Sequence, residues 1–171
     1  SVYAFRVQAV DAAGNWSTSG PFAALQAPDE SPPTWNQGQL WATQVTEHTL
    51  TLHWLGAEDD VAVAGYRLTM DGAEIAVVDA EVAYLAVAGL SPWTDYSFSV
   101  QAVDPSGQWS TTGPTLTVKT DDTVAPTWPQ NAALMATNVE PFSVTLSWPA
   151  ATDDVAVTAY HIALDGNQVL V

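Results

Sequence analysis

No cysteine occurs anywhere in the 171 residues, which excludes disulfide staples and thiolate metal sites from the outset. Positive charge is scarce as well: Arg6, Arg67 and Lys119 stand against nineteen carboxylates, a formal net charge of −16. Such a polyanion repels phosphate backbones and anionic headgroups, so nucleic acid is excluded as a partner and cations are favoured. Long apolar runs are also missing. Although 47% of the residues are hydrophobic, no stretch approaches the length that crosses a bilayer as a helix, and direct membrane insertion is not expected. No leader segment is visible, but the chain opens within a strand pattern, so this does not bear on secretion. The signatures of catalysis are lacking too: no serine stands in a nucleophile elbow, no glycine-rich loop precedes a helix, and no carboxylate pair is set in a predicted cleft.

What the chain does contain is repetition. Tyr96-Ser97-Phe98-Ser99-Val100-Gln101-Ala102-Val103-Asp104 and the following Pro105-Ser106-Gly107-Gln108-Trp109-Ser110 match Tyr3 to Asp11 and Ala12 to Ser17, 93 positions earlier. A fixed period of that size signals an array of modules. Within the repeated stretch Tyr96, Phe98, Val100 and Ala102 alternate with Ser97, Ser99, Gln101 and Val103, the period-two pattern of a half-buried strand, and the polar glycine-containing run after it is a turn.

The same alternation returns along the rest of the chain. Leu50, Leu52 and Trp54 point one way against Thr49, Thr51 and His53; Tyr66, Leu68 and Met70 alternate next and stop at Asp71-Gly72, a strong hairpin signal. Ile75 to Val78, Leu85 with Val87, and Leu116 to Val118 complete a set of short strands separated by turn residues, as in an all-β sandwich. Two connectors punctuate the series, Pro28 to Trp35 and Thr120 to Trp128, the first stiffened by its prolines. After the second connector, Val144, Leu146 and Trp148 match Leu50, Leu52 and Trp54. Asp153-Asp154-Val155-Ala156-Val157 matches Asp59 to Val63, Tyr160 matches Tyr66, and Asp165-Gly166 matches Asp71-Gly72. The offset here is 94, which places a one-residue insertion between Trp128 and Ala136.

Together these residues resemble the fibronectin type III fold in the version common in bacterial secreted proteins. The likeness is carried by Trp54 and Trp148 in a second strand, Tyr66 and Tyr160 in a third, and the Leu90-x-Pro92-x-x-x-Tyr96 corner before a sixth. Asp-Asp-Val-Ala-Val before the third strand and Ala-Val-Asp-x-x-Gly-x-Trp-Ser after the sixth extend it. The resemblance implies an all-β fold of tandem antiparallel sandwiches, fibronectin type III or immunoglobulin-like, each with a three-stranded sheet packed on a four-stranded one. It also implies a spacer or binding surface rather than a catalyst. The Arg-Gly-Asp tripeptide of integrin-binding members does not occur.

Three modules are expected: residues 1–28 as the last two strands of one, 29–121 as a complete one, and 122–171 as the first four strands of a third. One complete module is thus flanked by two partial ones. The partial modules are completed either in a longer array or by another copy, whose end and start would then share one sandwich and build a filament.

Eleven of the nineteen acidic residues fall at connectors or at two turns: Asp11, Asp29, Glu30, Glu58, Asp59, Asp60, Asp104, Asp121, Asp122, Asp153 and Asp154. In the topology implied by the resemblance, Asp29, Glu30, Asp59, Asp60 and Asp104 converge at the head of the middle module, and Asp121, Asp122, Asp153 and Asp154 at the head of the third. Gathered carboxylates repel one another unless a cation intervenes, and calcium, with its taste for roughly six to eight oxygens, is the expected ion. An alternative stays open in which aspartate serves the turns through side-chain-to-backbone bonds and the negative charge keeps the array dissolved. Of the eight tryptophans, Trp54 and Trp148 are core by strand phase; Trp16, Trp35, Trp93, Trp109 and Trp128 flank turns or connectors and are expected to pack against adjoining modules. His48, His53 and His161 form no constellation, and Asn15-Trp16-Ser17 fits a glycosylation acceptor.

The functional expectation is a non-enzymatic extracellular or cell-surface stalk or spacer. Its partners are neighbouring modules or copies of itself, with carbohydrate or a cell-surface protein as outside ligands. The alternatives are accessory spacer modules of a secreted polysaccharide-degrading enzyme, or the filament subunit described above.

Overall fold

A computed structural model describes residues 2–169, and strands and loops alone make up these described residues. Ser1, Leu170 and Val171, at the outer ends of the two expected partial modules, lie outside them. The first pair of strands, β1 (Val2–Arg6) and β2 (Phe22–Gln26), is an antiparallel ribbon with Tyr3 opposite Leu25. The strand expected to reach Val10 stops at Arg6. Beyond it come the Val7 amide to Pro21 carbonyl bond, a bridge between Val10 and Trp16, and bonds at Ser17, whose carbonyl accepts the Gln8 side chain and whose hydroxyl accepts the Ala9 amide. In the middle module the equivalent half-strand is also paired on its other side, and β1 has no such neighbour among the described residues.

The middle module holds seven strands: β3 (Thr34–Thr43), β4 (Thr49–Glu58), β5 (Gly65–Met70), β6 (Ala73–Asp79), β7 (Tyr84–Ala88), β8 (Asp95–Val103) and β9 (Thr115–Lys119). They form a three-stranded sheet in the order β3-β4-β7 and a four-stranded sheet in the order β6-β5-β8-β9, with every pairing antiparallel. Alternation decides what lies between the sheets. Leu40, Leu50, Leu52, Trp54 and Val87 come from one sheet, Leu68, Phe98 and Val100 from the other, and Leu90 closes the end. Burying a side chain of this size is worth about 1.5–3 kcal/mol relative to leaving it in water, so this cluster dominates the stability of the module. The expected corner forms as well: Tyr96 Oη accepts the Ser91 amide at 2.9 Å. The two buried hydroxyls have partners, whereas the indole N–H of the buried Trp54 has none among the described residues. Thr120 Oγ1 donates to the Ser91 carbonyl at 2.7 Å and accepts the Thr94 amide, while Ser110 Oγ accepts from the Ala102 amide and the Trp35 indole.

The third segment contributes two ribbons, β10 (Met135–Glu140) with β11 (Ser143–Ser147) and β12 (Ile162–Leu164) with β13 (Asn167–Val169). Its aromatic contacts repeat those of the middle module. Tyr66 meets Trp54 edge-on at 5.6 Å and Trp35 at 6.1 Å; Tyr160 meets Trp148 edge-on at 5.5 Å and Trp128 at 5.6 Å. The tryptophans expected between modules therefore pack at home. Trp35 sits on Tyr66, Trp109 lies under Arg67 at 4.4 Å, and Trp93 lies under Lys119 at 3.9 Å, whereas Trp16 stays exposed. The reason is local: Trp35, Trp93, Trp109 and Trp128 each have an aromatic or cationic neighbour on their own module, and Trp16 has none among the described residues.

Candidate functional site

Three segments meet at one pole of the middle sandwich: the connector ahead of β3, the turn after β4 and the turn after β8. They bring Asp29, Asp59 and Asp104 together with carboxylate oxygens within 4.8 Å of one another. The turn chemistry orients each of them. Asp59 Oδ1 accepts the amides of Val61 and Ala62, both at 2.9 Å, and Asp29 Oδ1 accepts the Ser31 amide at 3.3 Å. Tying down one oxygen this way points the other inward. Asp29 Oδ2 and Asp59 Oδ2 are both shut off from solvent without a hydrogen-bond donor. Asp104 differs because its own loop uses both oxygens. Oδ1 accepts from the Gln108 amide and the Ser106 hydroxyl, each at 2.8 Å, and Oδ2 from the Gln108 side chain. Asp104 is only 2% exposed. Burial pushes its carboxyl up, but the Gln108 and Ser106 hydrogen bonds outweigh that and hold it below the ordinary aspartate value.

The third segment repeats the arrangement. Asp122, Asp153 and Asp154 form a second group of the same tightness, and Asp122 and Asp153 are the repeat equivalents of Asp29 and Asp59. Asp153 Oδ1 accepts the amides of Val155 and Ala156 at 3.0 Å, and its Oδ2 is again buried without a donor. Three of the expected residues stay out of the clusters. Glu30 and Asp60 are exposed, and the main chain of Asp121 is held at the opposite pole of the middle module, its amide on Thr46 and its carbonyl on the Trp93 amide. One turn in register accounts for the last: the chain leaves β9 two residues before Asp121 and has not yet crossed to the next sandwich.

Orphaned anionic oxygens buried side by side are costly unless something positive meets them. Among the described residues no lysine or arginine does so, since the one ion pair is the 4.0 Å contact of His48 with Glu47. Hard, all-oxygen ligands suit calcium, so the residues present fit such an ion: Asp29, Asp59 and Asp104 in the middle module, Asp122, Asp153 and Asp154 in the third.

Two joint contacts lie beyond what the sequence reading singled out. Gln108 Nε2 donates to the main-chain carbonyl of Asp29 at 3.2 Å, fastening the incoming connector to the β8 turn. At the other pole Glu47 accepts the Thr123 amide at 2.8 Å and the Thr123 hydroxyl, fastening the outgoing connector. The Thr123 hydroxyl and then its amide hold the Glu47 carboxyl below the usual glutamate range. Glu47 carries no local signal, because its partner is 76 residues away.

The Fibronectin type III domain family matches residues 31–118, more than half of the chain. The chain belongs to that family. Relatives of this fibronectin type III segment include bacterial enzymes. Chitinase A1 of Niallia circulans is 38% identical over 131 residues, covering 73% of this chain and 18% of the relative. Exoglucanase B of Cellulomonas fimi is 32% identical over 165 residues, covering 90% of this chain and 15% of the relative. Among solved structures, chitinase ChiA74 from Bacillus thuringiensis is similar with a TM-score of 0.49 at 26% identity, over 66% of this chain and 16% of that one. This segment thus spans less than a fifth of the length of these curated relatives.

Proposed function

We propose that the chain is a non-catalytic spacer within a bacterial extracellular polysaccharide-degrading enzyme, in which calcium at each acidic pole fixes one sandwich relative to its connector. The observation that supports the first half is the match of 90% of this chain to 15% of an exoglucanase: tandem modules of this kind occupy a small part of enzymes many times their size. The partners of such a spacer are the neighbouring modules and the catalytic part of its own chain. The observation that supports the second half is the buried, donorless Oδ2 atoms of Asp29, Asp59 and Asp153, of which those of Asp59 and Asp153 recur at equivalent positions.

Calorimetry tests the cation. A ligand bound only by the folded state at a hundred times its Kd adds about 2.7 kcal/mol, so calcium raises Tm by several degrees and a chelator reverses the rise. Asp59→Asn reduces the response and Asp59→Asn together with Asp153→Asn abolishes it. A Tm indifferent to both calcium and chelator removes the ion and leaves the spacer. The spacer reading is tested separately by incubating the purified chain with colloidal chitin and amorphous cellulose: no reducing ends are expected to appear, and hydrolysis of either substrate would end it.

A further inference from the structure

The outer face of the β3-β4-β7 sheet departs from the rest of this acidic chain. Its outward positions are set by register: Gln39 beside Leu55, then Trp41 beside His53 beside Tyr84, then Thr43 beside Thr51 beside Ala86, then Thr49 beside Ala88. None of them is a carboxylate, lysine or arginine, although nineteen acidic residues are distributed over the molecule; the carboxylate these strands do carry, Glu58, pairs with Thr34 beyond the β3 bulge. Trp41, His53 and Tyr84 form an aromatic ridge across all three strands. Trp41 lies nearly parallel to His53 at 5.4 Å, and Tyr84 is tilted against His53 at 6.2 Å. Tyr84 is 62% exposed and Trp41 38%. Along the ridge runs a shallow groove lined by Thr43, Gln44, Thr51, His53, Tyr84 and Ala86. Its polar side chains are already aligned: Thr43 Oγ1 is 2.9 Å from His53 Nε2, and Thr51 Oγ1 donates to Gln44 Oε1 at 3.1 Å, which leaves the Gln44 amide NH2 for a ligand.

The fold does not require this ridge. In the third segment the register pair equivalent to Trp41 and His53 is Met135 and Ser147, in the same β10-β11 ribbon geometry. The Trp41–His53 pair is therefore an addition to the middle module, at a position where the third segment carries Met135 and Ser147.

We propose that this face binds a single chain of a neutral β-linked polysaccharide, lying across the strands with sugar C–H faces on Tyr84 and the ridge and hydroxyls on Thr43, Gln44 and Thr51. Aromatic surface beside a few hydroxyl and amide groups is the lining such a ligand needs. The absence of lysine and arginine around the ridge, within a chain of net charge −16, selects a neutral polymer over an anionic one. A groove that crosses three strands suits an extended polymer rather than a compact small molecule. The choice of polysaccharide over a protein partner rests on the spacer reading above; the binding itself is measured independently of any enzyme.

The test is co-sedimentation of the full 171-residue chain with colloidal chitin, amorphous cellulose and granular starch, with fluorescence titration by soluble hexasaccharides of the first two. Retention on chitin or cellulose but not starch is expected, and the one retained names the sugar. Trp41→Ala together with Tyr84→Ala lowers the bound fraction at least fivefold with Tm and circular dichroism unchanged. Thr51→Val, which keeps side-chain shape, lowers it by a smaller factor. Failure of the parent chain to sediment with either β-glycan, equal retention on starch, or undiminished binding by the double variant each overturns the proposal. None of these outcomes touches the spacer reading, which is decided by hydrolysis and not by adsorption.

Discussion

Single side chains do two jobs in this molecule, and Glu47 separates them cleanly. Its carboxylate makes no turn of its own; it accepts both the amide and the hydroxyl of Thr123, and those bonds hold its folded pKa below the ordinary value. A depressed carboxylate contributes stability that is complete above the unfolded value, about 4.3, and is lost as pH falls through the lower folded value. The amide proton of Thr123 is thus expected to titrate in NMR spectra with a midpoint below that of an ordinary glutamate, and Glu47→Gln to show the low-pH shift already at neutrality. A midpoint at or above the ordinary value would remove the anchor. Such a residue is invisible in a sequence scan, because nothing near it announces a partner across 76 positions. Asp59 and Asp153 were easier to find, since Asp-Asp-Val-Ala-Val repeats. Even so, which oxygen makes the turn and which faces inward became clear only from the backbone amides of the two following residues.

At the level of strands, period-two alternation made the core legible: the inward phase of Leu50, Leu52 and Trp54 and of Phe98, Val100 and Ala102 holds residue by residue. Register was not legible, and with it went the row of Trp41, His53 and Tyr84, which depends on β7 returning beside β4 from more than thirty residues away. One further strand-level feature repeats. Gly20 and Gly113 precede Pro21 and Pro114, whose carbonyls accept the amides of Val7 and Val100. A Cβ at either glycine would lie 1.8 Å from the carbonyl oxygen of that same valine, well inside contact distance. Gly113→Ala must push β9 away from β8, and by analogy with overpacked sites it should cost about 1–3 kcal/mol in urea denaturation. An alanine variant as stable as the parent would show that the two strands do not approach in this way.

For the chain as a whole, charge sets the terms. With −16 net and no lysine or arginine paired to a carboxylate among the described residues, self-repulsion works against compactness. Raising sodium chloride from about 10 mM to above 0.1 M shortens the screening length to roughly 10 Å, so Tm is expected to rise with monovalent salt even when a chelator is present. A Tm that falls with salt would mean that attractive pairs outnumber repulsive ones. Composition alone foretold this sign, whereas the division of the carboxylates into clustered and solitary ones needed the packing of connector against turn. Asp29 belongs to the connector while Asp59 and Asp104 belong to the sandwich it enters. Tension arriving through the incoming connector therefore meets the bond from the Gln108 side chain to the Asp29 carbonyl before it reaches any buried leucine, so that single hydrogen bond is the fuse at this end of the module.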